Sequence, residues 1–316
     1  MLAIEAVGLS YTYPDGTVAL KNVSLKVKRG ETVVLLGPNG SGKTTLLLIL
    51  SCLLQPQSGT LKIMGKEVNK KNMEEVRKHV GIVFQNPDDQ VIAPTVYDDV
   101  AFGLRNLGYD EDFIAKRVDE VLKMLGLEDL RNKNPDNLSG GQKKRVAIAG
   151  ILAMDPEIII MDEPTSGLDG IGFEMMCEII EKLKRKTLII ATHDMDFAEV
   201  VGDRYIYMKS GEIVHESERI DYQLSKRLGI RSFLRGDLIV IPHDSEIPKI
   251  DYDFLAAVGE KARNRLNGVD ITSLEKSILK ALEGKTILLV CDRDLINAVK
   301  SEASKFPIGL EILDGG

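Results

Sequence analysis

The apolar positions of the chain follow two periods, one typical of buried strands and one typical of helices. Three runs of five or six residues are apolar almost throughout: Thr32–Leu36, Glu157–Met161 and Thr187–Thr192. Strands that are covered on both faces have this composition, so the runs predict buried strands at the centre of a sheet. The clearest helical face, with apolar residues three and four positions apart, consists of Ile114, Val118, Val121, Leu122 and Leu125. Together the two periods predict an α/β fold.

Two stretches depart from a simple alternation of strand and helix. Residues 2–29 alternate apolar and polar positions, as in Val23–Val27, which predicts half-exposed antiparallel strands. Residues 95–135 contain no strand pattern, and a second helical stretch stops at Asp155-Pro156. We therefore expect an N-terminal antiparallel part and a helical subdomain, at about residues 95–155, that is inserted into the sheet.

The last hundred residues predict a separate, smaller unit. We expect a polar helix or linker at residues 221–235 and a small accessory α/β domain at residues 236–316. Its expected strands are 236–241, 285–290 and about 308–313, and its expected helices are near 252–266 and 271–283. Asp292 and Asp294 follow the second strand, where they would either cap a helix or face a ligand, and capping is the favoured interpretation.

A glycine-rich loop connects the first buried run to a helical run that begins near Lys43. It fits the phosphate-binding pattern G-x-x-x-x-G-K-[ST] and consists of Gly37, Pro38, Asn39, Gly40, Ser41, Gly42, Lys43 and Thr44. Glycines let several backbone N–H groups converge on one anion, and the helix N-terminus adds its positive end. Lys43 would reach the β- and γ-phosphates, and the Thr44 hydroxyl would ligate Mg²⁺. The strand–loop–helix setting favours nucleotide binding over an ordinary glycine turn.

Polar residues follow three further apolar runs. Asp162 and Glu163 end one of them, and carboxylates in this place of a phosphate-loop enzyme hold Mg²⁺ and activate the attacking water. His193 follows the run Thr187–Thr192, and Gln85 follows the run Val80–Phe84. Ligands of α/β sheets bind at the carboxyl ends of the strands, so all four side chains are candidates for a ligand site.

The segment Leu138–Gln142 predicts a second helix end with accessible N–H groups. Ser139 and Gln142 have the spacing of a capping box, which predicts a helix N-terminus. Gly140 and Gly141 leave its N–H groups open to an anion. A plain glycine-rich cap is the alternative.

Length, charge and composition limit the classes of protein to which the chain can belong. The 316 residues allow one large core or two domains, and the net charge of −7 argues against a nucleic-acid partner. The three cysteines, Cys52, Cys177 and Cys291, are far apart, which predicts reduced and buried thiols. Every apolar run is far shorter than the roughly 20 residues of a spanning helix, and Met1 begins no secretory signal. We expect a chain that does not cross a membrane by itself.

In their order along the chain, these motifs closely resemble those of the ATP-binding cassette (ABC) ATPases. The resemblance covers residues 1 to about 220, and Leu138–Gln142 has the sequence of that family's own motif. It implies the sheet of a P-loop NTPase, with ATP and Mg²⁺ as ligands. It also implies a dimer in which two ATP molecules lie between the phosphate loop of one subunit and Leu138–Gln142 of the other.

The resemblance implies roles for the residues around the chain's own ATP. The phosphates would be held by Lys43 with Gly40, Gly42, Thr44 and Thr45. Magnesium would be held by Thr44, Gln85 and Asp162. Glu163 would be the general base, and His193 would contact the γ-phosphate. The residues expected to take part in catalysis are therefore Lys43, Gln85, Glu163 and His193.

Two more implications concern the adenine and the second subunit. Tyr11 and Tyr13 interrupt the N-terminal strands. A ring at this place would either stack on a nucleobase or pack against a neighbouring strand. The resemblance assigns Tyr13 to the adenine. The residues that would contact ATP on a second ABC ATPase subunit are Ser139, Gly140, Gly141 and Gln142. Asp169 would lie across the same interface.

A narrower resemblance concerns Phe84–Gln90 and Val100–Leu104, which are similar to the energy-coupling-factor ATPases of cobalt, nickel and vitamin uptake. It implies an ATP-hydrolysing subunit of a metal-ion or vitamin importer, peripheral at the cytoplasmic face of the cell membrane. The expected partners are a second ABC ATPase subunit in a homo- or heterodimer, an integral membrane transport subunit that contacts the loop after Gln85, and a substrate-binding membrane subunit.

The alternative is a soluble ABC ATPase of translation or DNA repair. Those proteins carry two cassettes in one chain or a long coiled coil, whereas this chain has one cassette and no sustained heptads between Thr44 and Leu138. A regulatory ATP sensor without turnover is disfavoured by the intact Glu163 and His193.

Overall fold

The structure is a computed structural model that describes residues 1–228, 230, 237–242, 244, 254–258, 262, 287–303 and 309–312. The chain divides into two compact units, Met1–Ile230 and Arg231–Gly316. The predicted linker, residues 221–235, contains the point of division.

The first unit begins with strands and ends with a short helix. Its strands are β1 (Leu2–Thr12), β2 (Val18–Lys28), β3 (Thr32–Leu36), β4 (Ser58–Ile63), β5 (Lys66–Glu67), β6 (Val80–Val83), β7 (Ile158–Asp162), β8 (Thr187–Thr192), β9 (Arg204–Lys209) and β10 (Glu212–Ser217). Its helices are α1 (Lys43–Leu50), α2 (Met73–Arg77), α3 (Val96–Asn106), α4 (Glu111–Met124), α5 (Gly140–Ala153), α6 (Gly170–Lys182), α7 (Met195–Val201) and α8 (Tyr222–Arg227). Single 3-10 turns lie at Pro87–Asp89, Glu128–Leu130 and Pro135–Asn137.

A six-stranded sheet forms the centre of this unit, in the order β10-β9-β3-β8-β7-β6. The strands from β9 to β6 run parallel, and β10 joins β9 antiparallel. Every residue of β3, β7 and β8 is buried, as their apolar runs predict. Alternate residues of β3 enter two different hydrophobic clusters, Val34 and Leu36 in one, Val33 and Leu35 in the other. The prediction of buried central strands is confirmed, and the structure adds that they run parallel.

Different layers cover the two faces of that sheet. On one face, α1 and the antiparallel sheet β2-β1-β4-β5 share a cluster with Val33 and Leu35. On the other face, helices α3 to α7 share a cluster with Val34 and Leu36. The predicted apolar face of α4 is buried there, from Ile114 to Leu125. The N-terminal antiparallel part and the inserted helices are therefore confirmed.

The helices of this inserted layer begin at side-chain caps. Thr95 accepts a hydrogen bond from the backbone N–H of Asp98, and Asp110 accepts one from that of Phe113. Ser139 and Gln142 make both bonds of a capping box at the start of α5, as their spacing predicts. Throughout the described ranges, no helix is both long and apolar enough to span a bilayer.

The second unit contains a four-stranded parallel sheet in the order β12-β13-β11-β14. Its elements are β11 (Asp237–Pro242), β12 (Phe254–Val258), β13 (Ile287–Cys291), α9 (Ile296–Ala303) and β14 (Gly309–Ile312). A 3-10 turn, Arg293–Leu295, precedes α9. The prediction of a small α/β fold is confirmed.

Two expectations for this unit are wrong. Residues 254–258, expected within a helix, form β12, which pairs in parallel with β13 from Phe254 and Ile287 onward. A five-residue apolar run has no period that separates strand from helix, so the neighbouring strand decides. Asp292 makes no capping bond. Its Oδ1 accepts instead from the backbone N–H of Ala262 at 2.7 Å. The helix expected near residues 271–283 lies outside the described residues.

All three cysteines are free. Cys52 and Cys291 are buried and Cys177 is half-buried, so the prediction of burial holds for two of the three. Burial raises the pKa of each thiol to about 11, which keeps the thiols protonated at neutral pH.

Phe197 offers a test of the helical layer. Its side chain is fully buried, and its ring lies 5.9 Å from that of Phe173 at 72°. Phe197→Ala should lower the free energy of unfolding by about 3–5 kcal/mol, because a large buried ring is lost. Phe102 is 55% exposed, so the control Phe102→Ala should stay within about 0.5 kcal/mol. Urea unfolding followed by circular dichroism measures both, and equal losses would contradict this account of the core.

Candidate active site

Four motifs lie at one edge of the central sheet. The glycine-rich loop follows β3, Asp162 ends β7, His193 follows β8, and Gln85 lies two residues after β6. These strands are parallel neighbours in the order β3-β8-β7-β6, so their carboxyl ends lie side by side. Residues that are more than 150 positions apart in sequence are brought together in this way.

The loop between β3 and α1 packs too tightly for side chains at two of its glycines. Gly42, directly before α1, has φ +100°, and a Cβ there would lie 2.5 Å from the carbonyl oxygen of Ala19. A Cβ on Gly37 would lie 2.5 Å from the carbonyl oxygen of Met208. Gly40 also has a positive φ, +76°, but open space surrounds its Cβ position. The glycines therefore permit both the left-handed backbone and the close approach of other chain segments.

Lys43 is buried within this loop, with only 6% of its surface exposed. Its ammonium donates to the carbonyl oxygens of Gly37, at 2.7 Å, and Pro38, at 3.3 Å. Burial lowers the pKa of Lys43, and the charges of Glu163 and Asp162 oppose that shift. A buried cation at the N-terminus of a helix suits an anion such as a phosphate.

Thr44 and Asp162 form a pair of oxygen donors next to the loop. The Thr44 hydroxyl donates to Asp162 Oδ2 at 2.7 Å. Burial raises the pKa of Asp162, as does the charge of Glu163, while the Thr44 bond and Lys43 oppose the rise. Hard oxygen ligands beside a phosphate site are the donor set that Mg²⁺ prefers, and a cation would stabilise the buried carboxylate. The pair therefore fits Mg²⁺.

Gln85, the third residue predicted to hold Mg²⁺, is not joined to this pair. It is exposed, and within residues 1–228 no hydrogen bond connects it to Thr44 or Asp162. The side chain of Gln90, five positions later, is the one that braces the end of β6. It accepts from the Phe84 N–H at 3.1 Å and donates to the Ile82 carbonyl at 3.3 Å.

Glu163 is held against the end of β8. Its Oε2 accepts from the Thr192 hydroxyl at 3.2 Å and from the His193 N–H at 3.3 Å, and its Oε1 lies 2.8 Å from His193 Nδ1. Glu163 is 5% exposed, whereas 34% of the His193 side chain is exposed. The backbone of Glu163 has φ +45°, a left-handed conformation that is strained for a residue with a side chain. Such strain persists only where neighbouring contacts hold it, and it is typical of functional sites.

Two contacts of Glu163 involve residues that were not among the predicted site residues, Thr192 and Lys144. Thr192 is the last residue of a buried run and directly precedes His193, so its position in the sequence could have identified it as a site residue. Lys144 donates from Nζ to the carbonyl oxygens of Glu163, at 3.2 Å, and Ser166, at 2.9 Å, and is only 2% exposed. A lysine within Lys143-Lys144-Arg145 has the sequence pattern of a solvated helix face, so no signal pointed to it.

Tyr13 lies next to the first turn of α1. Its hydroxyl is 3.1 Å from Thr45 Oγ1, and its half-buried ring meets Tyr11 edge-on, with centroids 5.1 Å apart. Tyr11 packs against the hydrophobic cluster under the antiparallel sheet. Of the two tyrosines, Tyr13 is the one joined to a residue of the predicted phosphate site.

Ser139–Gln142 and Asp169 lie together in a different place. They line an open cleft of about 350 Å³ between the first turns of α5 and α6. Asp169 caps α6 by accepting from the Gly172 N–H at 2.8 Å, while Ser139 and Gly140 are exposed. Within the first unit, no hydrogen bond joins Ser139–Gln142 to the glycine-rich loop. The predicted residues therefore form two groups.

Comparison with known proteins identifies the family. The model of the ABC transporter family matches residues 20–166. The energy-coupling factor transporter ATP-binding protein EcfA of Methanocaldococcus jannaschii is 46% identical over 275 residues, which are 84% of this chain and 98% of that protein. The chain is an ABC transporter ATPase. Within this family it belongs to the energy-coupling-factor subfamily, as the narrower resemblance predicts.

Solved structures of ABC ATPases share the fold. The cbiO1 protein of Clostridium perfringens, part of the ABC transporter complex cbiONQ, has a TM-score of 0.62 and 42% identity, over 69% of this chain and 88% of cbiO1. The cassette MJ0796, in a dimeric post-hydrolysis state bound to ADP and Pi, has a TM-score of 0.63 and 36% identity, over 69% of this chain and all of that cassette. The prediction of a P-loop NTPase fold is confirmed, and the chain is an ATP-hydrolysing subunit of a transporter.

Two alanine substitutions test the tight packing of the phosphate loop in this ABC ATPase. Gly42→Ala adds both left-handed strain and a clash with Ala19, whereas Gly40→Ala adds strain alone. We expect Gly42→Ala to lower the free energy of unfolding by about 1–3 kcal/mol more than Gly40→Ala does. Urea unfolding without nucleotide measures the difference. Equal losses in the two variants would show that the space around Gly42 is not limiting.

Proposed function

We propose that this ABC ATPase drives an importer of the energy-coupling-factor type, with a metal ion or a vitamin as cargo. It would act as a peripheral subunit at the cytoplasmic face of the cell membrane. The observation that carries the proposal is the 46% identity to EcfA over nearly the whole of that protein. The likeness to cbiO1, part of the cbiONQ complex, also supports it.

The loop after Gln85 is the surface that we propose for the integral membrane subunit. Its 3-10 turn Pro87–Asp89 is tied to α5 by an ion pair of 2.5 Å between Asp88 and Lys143. Ile92, just beyond the turn, is 75% exposed. An exposed apolar side chain on a braced loop suits a partner protein. The other proposed partner in the membrane is a substrate-binding subunit.

For nucleotide binding, we propose that the glycine-rich loop from Gly37 holds the phosphates of ATP. Lys43 would exchange its contacts with the loop carbonyls for the β- and γ-phosphates. A hydrogen bond from an ammonium to a charged phosphate oxygen is stronger than one to a neutral carbonyl. Thr45 would complete this cradle, and the ring of Tyr13, which reaches Thr45, would stack on the adenine.

Thr44 and Asp162 would hold Mg²⁺, and Gln85 would join them by a movement of its loop. The ion, when bound, would neutralise the charge that develops on the phosphates. Asp162 would remain a carboxylate in that state, because a bound cation offsets the desolvation that raises its pKa.

For hydrolysis, we propose Glu163 as the general base. Its carboxylate would take a proton from the attacking water, a role worth about 10²–10⁴-fold in rate. The bonds from Thr192 and the His193 N–H fix Oε2, and Oε1 lies 2.8 Å from Nδ1 of the partly exposed His193 ring. His193 would contact the γ-phosphate.

The cleft lined by Ser139–Gln142 and Asp169 would serve a second subunit. Ser139, Gly140 and Asp169 are exposed, Gly141 and Gln142 are half-buried, and all five line the open cleft, so we propose that Ser139, Gly140, Gly141 and Gln142 bind the ATP of the partner. The dimeric state of MJ0796 with ADP and Pi supports this arrangement. Hydrolysis would then require two subunits, identical or closely related, although each chain binds ATP by itself.

The variant Glu163→Gln tests the proposed base. Its amide cannot accept the proton of water, so turnover should fall about 10²–10⁴-fold while ATP still binds. ATP should therefore hold the variant as a dimer, which phosphate release and light scattering after gel filtration would measure. The control Lys43→Ala should bind ATP poorly and stay monomeric. Normal turnover in Glu163→Gln would remove Glu163 as the base.

Isolation of the full chain from membranes of its host tests the transporter assignment. The tagged chain should bring down an integral membrane protein, and Ile92→Glu should reduce the yield of that protein without changing ATP binding. Vesicles that contain the isolated complex should show ATP-dependent uptake of Co²⁺, Ni²⁺ or one labelled vitamin. Recovery of ribosomes or DNA in place of a membrane protein would contradict the proposal.

A further inference from the structure

Two consecutive lysines near the start of α5 reach different parts of the molecule. Lys143 pairs with Asp88, in the loop proposed for the membrane subunit. Lys144 extends to the turn that follows β7, where its Nζ donates to the carbonyl oxygens of Glu163, at 3.2 Å, and Ser166, at 2.9 Å. Only 2% of Lys144 is exposed, so this second contact is made away from solvent.

A buried ammonium is stable only where hydrogen bonds and opposite charges offset the free energy of its desolvation. The two carbonyls supply hydrogen bonds, and the charge of Glu163 acts in the same direction, while burial lowers the pKa of Lys144. A surface lysine of the same helix would reach water at no such cost. The contact is therefore a specific tie between α5 and the turn, because removing it would leave two carbonyls buried without this donor.

The turn held by Lys144 carries two residues of the site. It begins at Glu163, whose backbone has φ +45°, and it ends at Asp169. Within it, the Ser166 N–H donates to the Glu163 carbonyl at 3.1 Å. One ammonium thus binds a carbonyl oxygen of each of the two residues that this bond joins. A strained conformation such as that of Glu163 persists only where surrounding contacts hold it.

We propose that Lys144 is a positioning residue that holds the backbone of Glu163 and thereby couples the two halves of the nucleotide site. This inference rests on the proposed function. The first turn of α5 would bind the ATP of the second subunit, and Lys144, on the second turn, holds the base for the chain's own ATP. A rigid helix with a contact at each place transmits occupancy of one site to the geometry of the other.

The substitution Lys144→Met tests the inference, because methionine fills similar space without a donor. We expect kcat for ATP hydrolysis to fall at least tenfold, the Kd for ATP to stay within twofold, and the Hill coefficient for ATP to fall toward one. Lys144→Gln keeps an amide NH₂ donor on a shorter side chain, so it should lose less kcat, and it replaces Lys144→Met as the test if that variant does not fold.

A matched control is available at the other end of α5. Lys186 also donates to a carbonyl and a carboxylate, both of Asp155, which lies just beyond the C-terminal end of α5 and has a side chain that is 67% exposed. Lys186→Met should therefore leave kcat and the Hill coefficient unchanged, since exposed ion pairs contribute little.

Two results would overturn the inference. One is an unchanged kcat and Hill coefficient in Lys144→Met and Lys144→Gln. The other is a loss of total activity that equals the loss of folded protein, so that kcat per folded molecule is unchanged. That result would show that Lys144 stabilises the fold and does not position Glu163. A wild-type chain that is inactive both alone and in the complex isolated from membranes would contradict the proposed function itself, and so is distinguishable from both.

Discussion

Buried opposite charges at the carboxyl edge of a parallel sheet are the constraint on which this structure depends. Lys43, Asp162 and Glu163 are each no more than 6% exposed, and no one of them would be stable there as a lone ion. The two carboxylates offset part of the desolvation that lowers the pKa of Lys43, and Lys43 offsets part of the desolvation that raises the pKa of Asp162, whereas Glu163 adds to that rise. The sheet makes this possible, because parallel order places the ends of β3, β7 and β8 side by side.

The same constraint explains the backbone around the site. Gly37 and Gly42 let the carbonyl oxygens of Met208 and Ala19 approach the loop that contains Lys43, because a Cβ at either glycine would lie 2.5 Å from one of these oxygens. On the other side, Glu163 adopts a left-handed backbone that turns its carboxylate toward Thr192 and His193. Lys144 and the end of β8 hold that conformation in place. Burial of charge and strain of backbone therefore occur at the same few residues.

The errors of prediction share a physical cause. Phe254–Val258 was expected to be helical, yet its strand exists because β13 supplies the backbone partners. Asp292 was expected to cap a helix, but its carboxylate joins the backbone of Ala262, a contact between segments 30 positions apart. Lys144 was not selected at all, because a run of basic residues has the pattern of a solvated surface. In each case the local sequence was compatible with two outcomes, and a distant segment decided between them.

The sequence by itself determined the buried central strands, the helical layer, the phosphate loop and the capped start of α5. Those features follow from periods, glycines and caps that act over a few residues, which is why a single sequence reveals them. Only the tertiary structure decided that Thr44 meets Asp162, that Gln90 rather than Gln85 braces the end of β6, and that Lys144 is buried against the backbone of Glu163. Such contacts depend on strand order and on the position of one helix against a distant turn, and neither is encoded in local spacing.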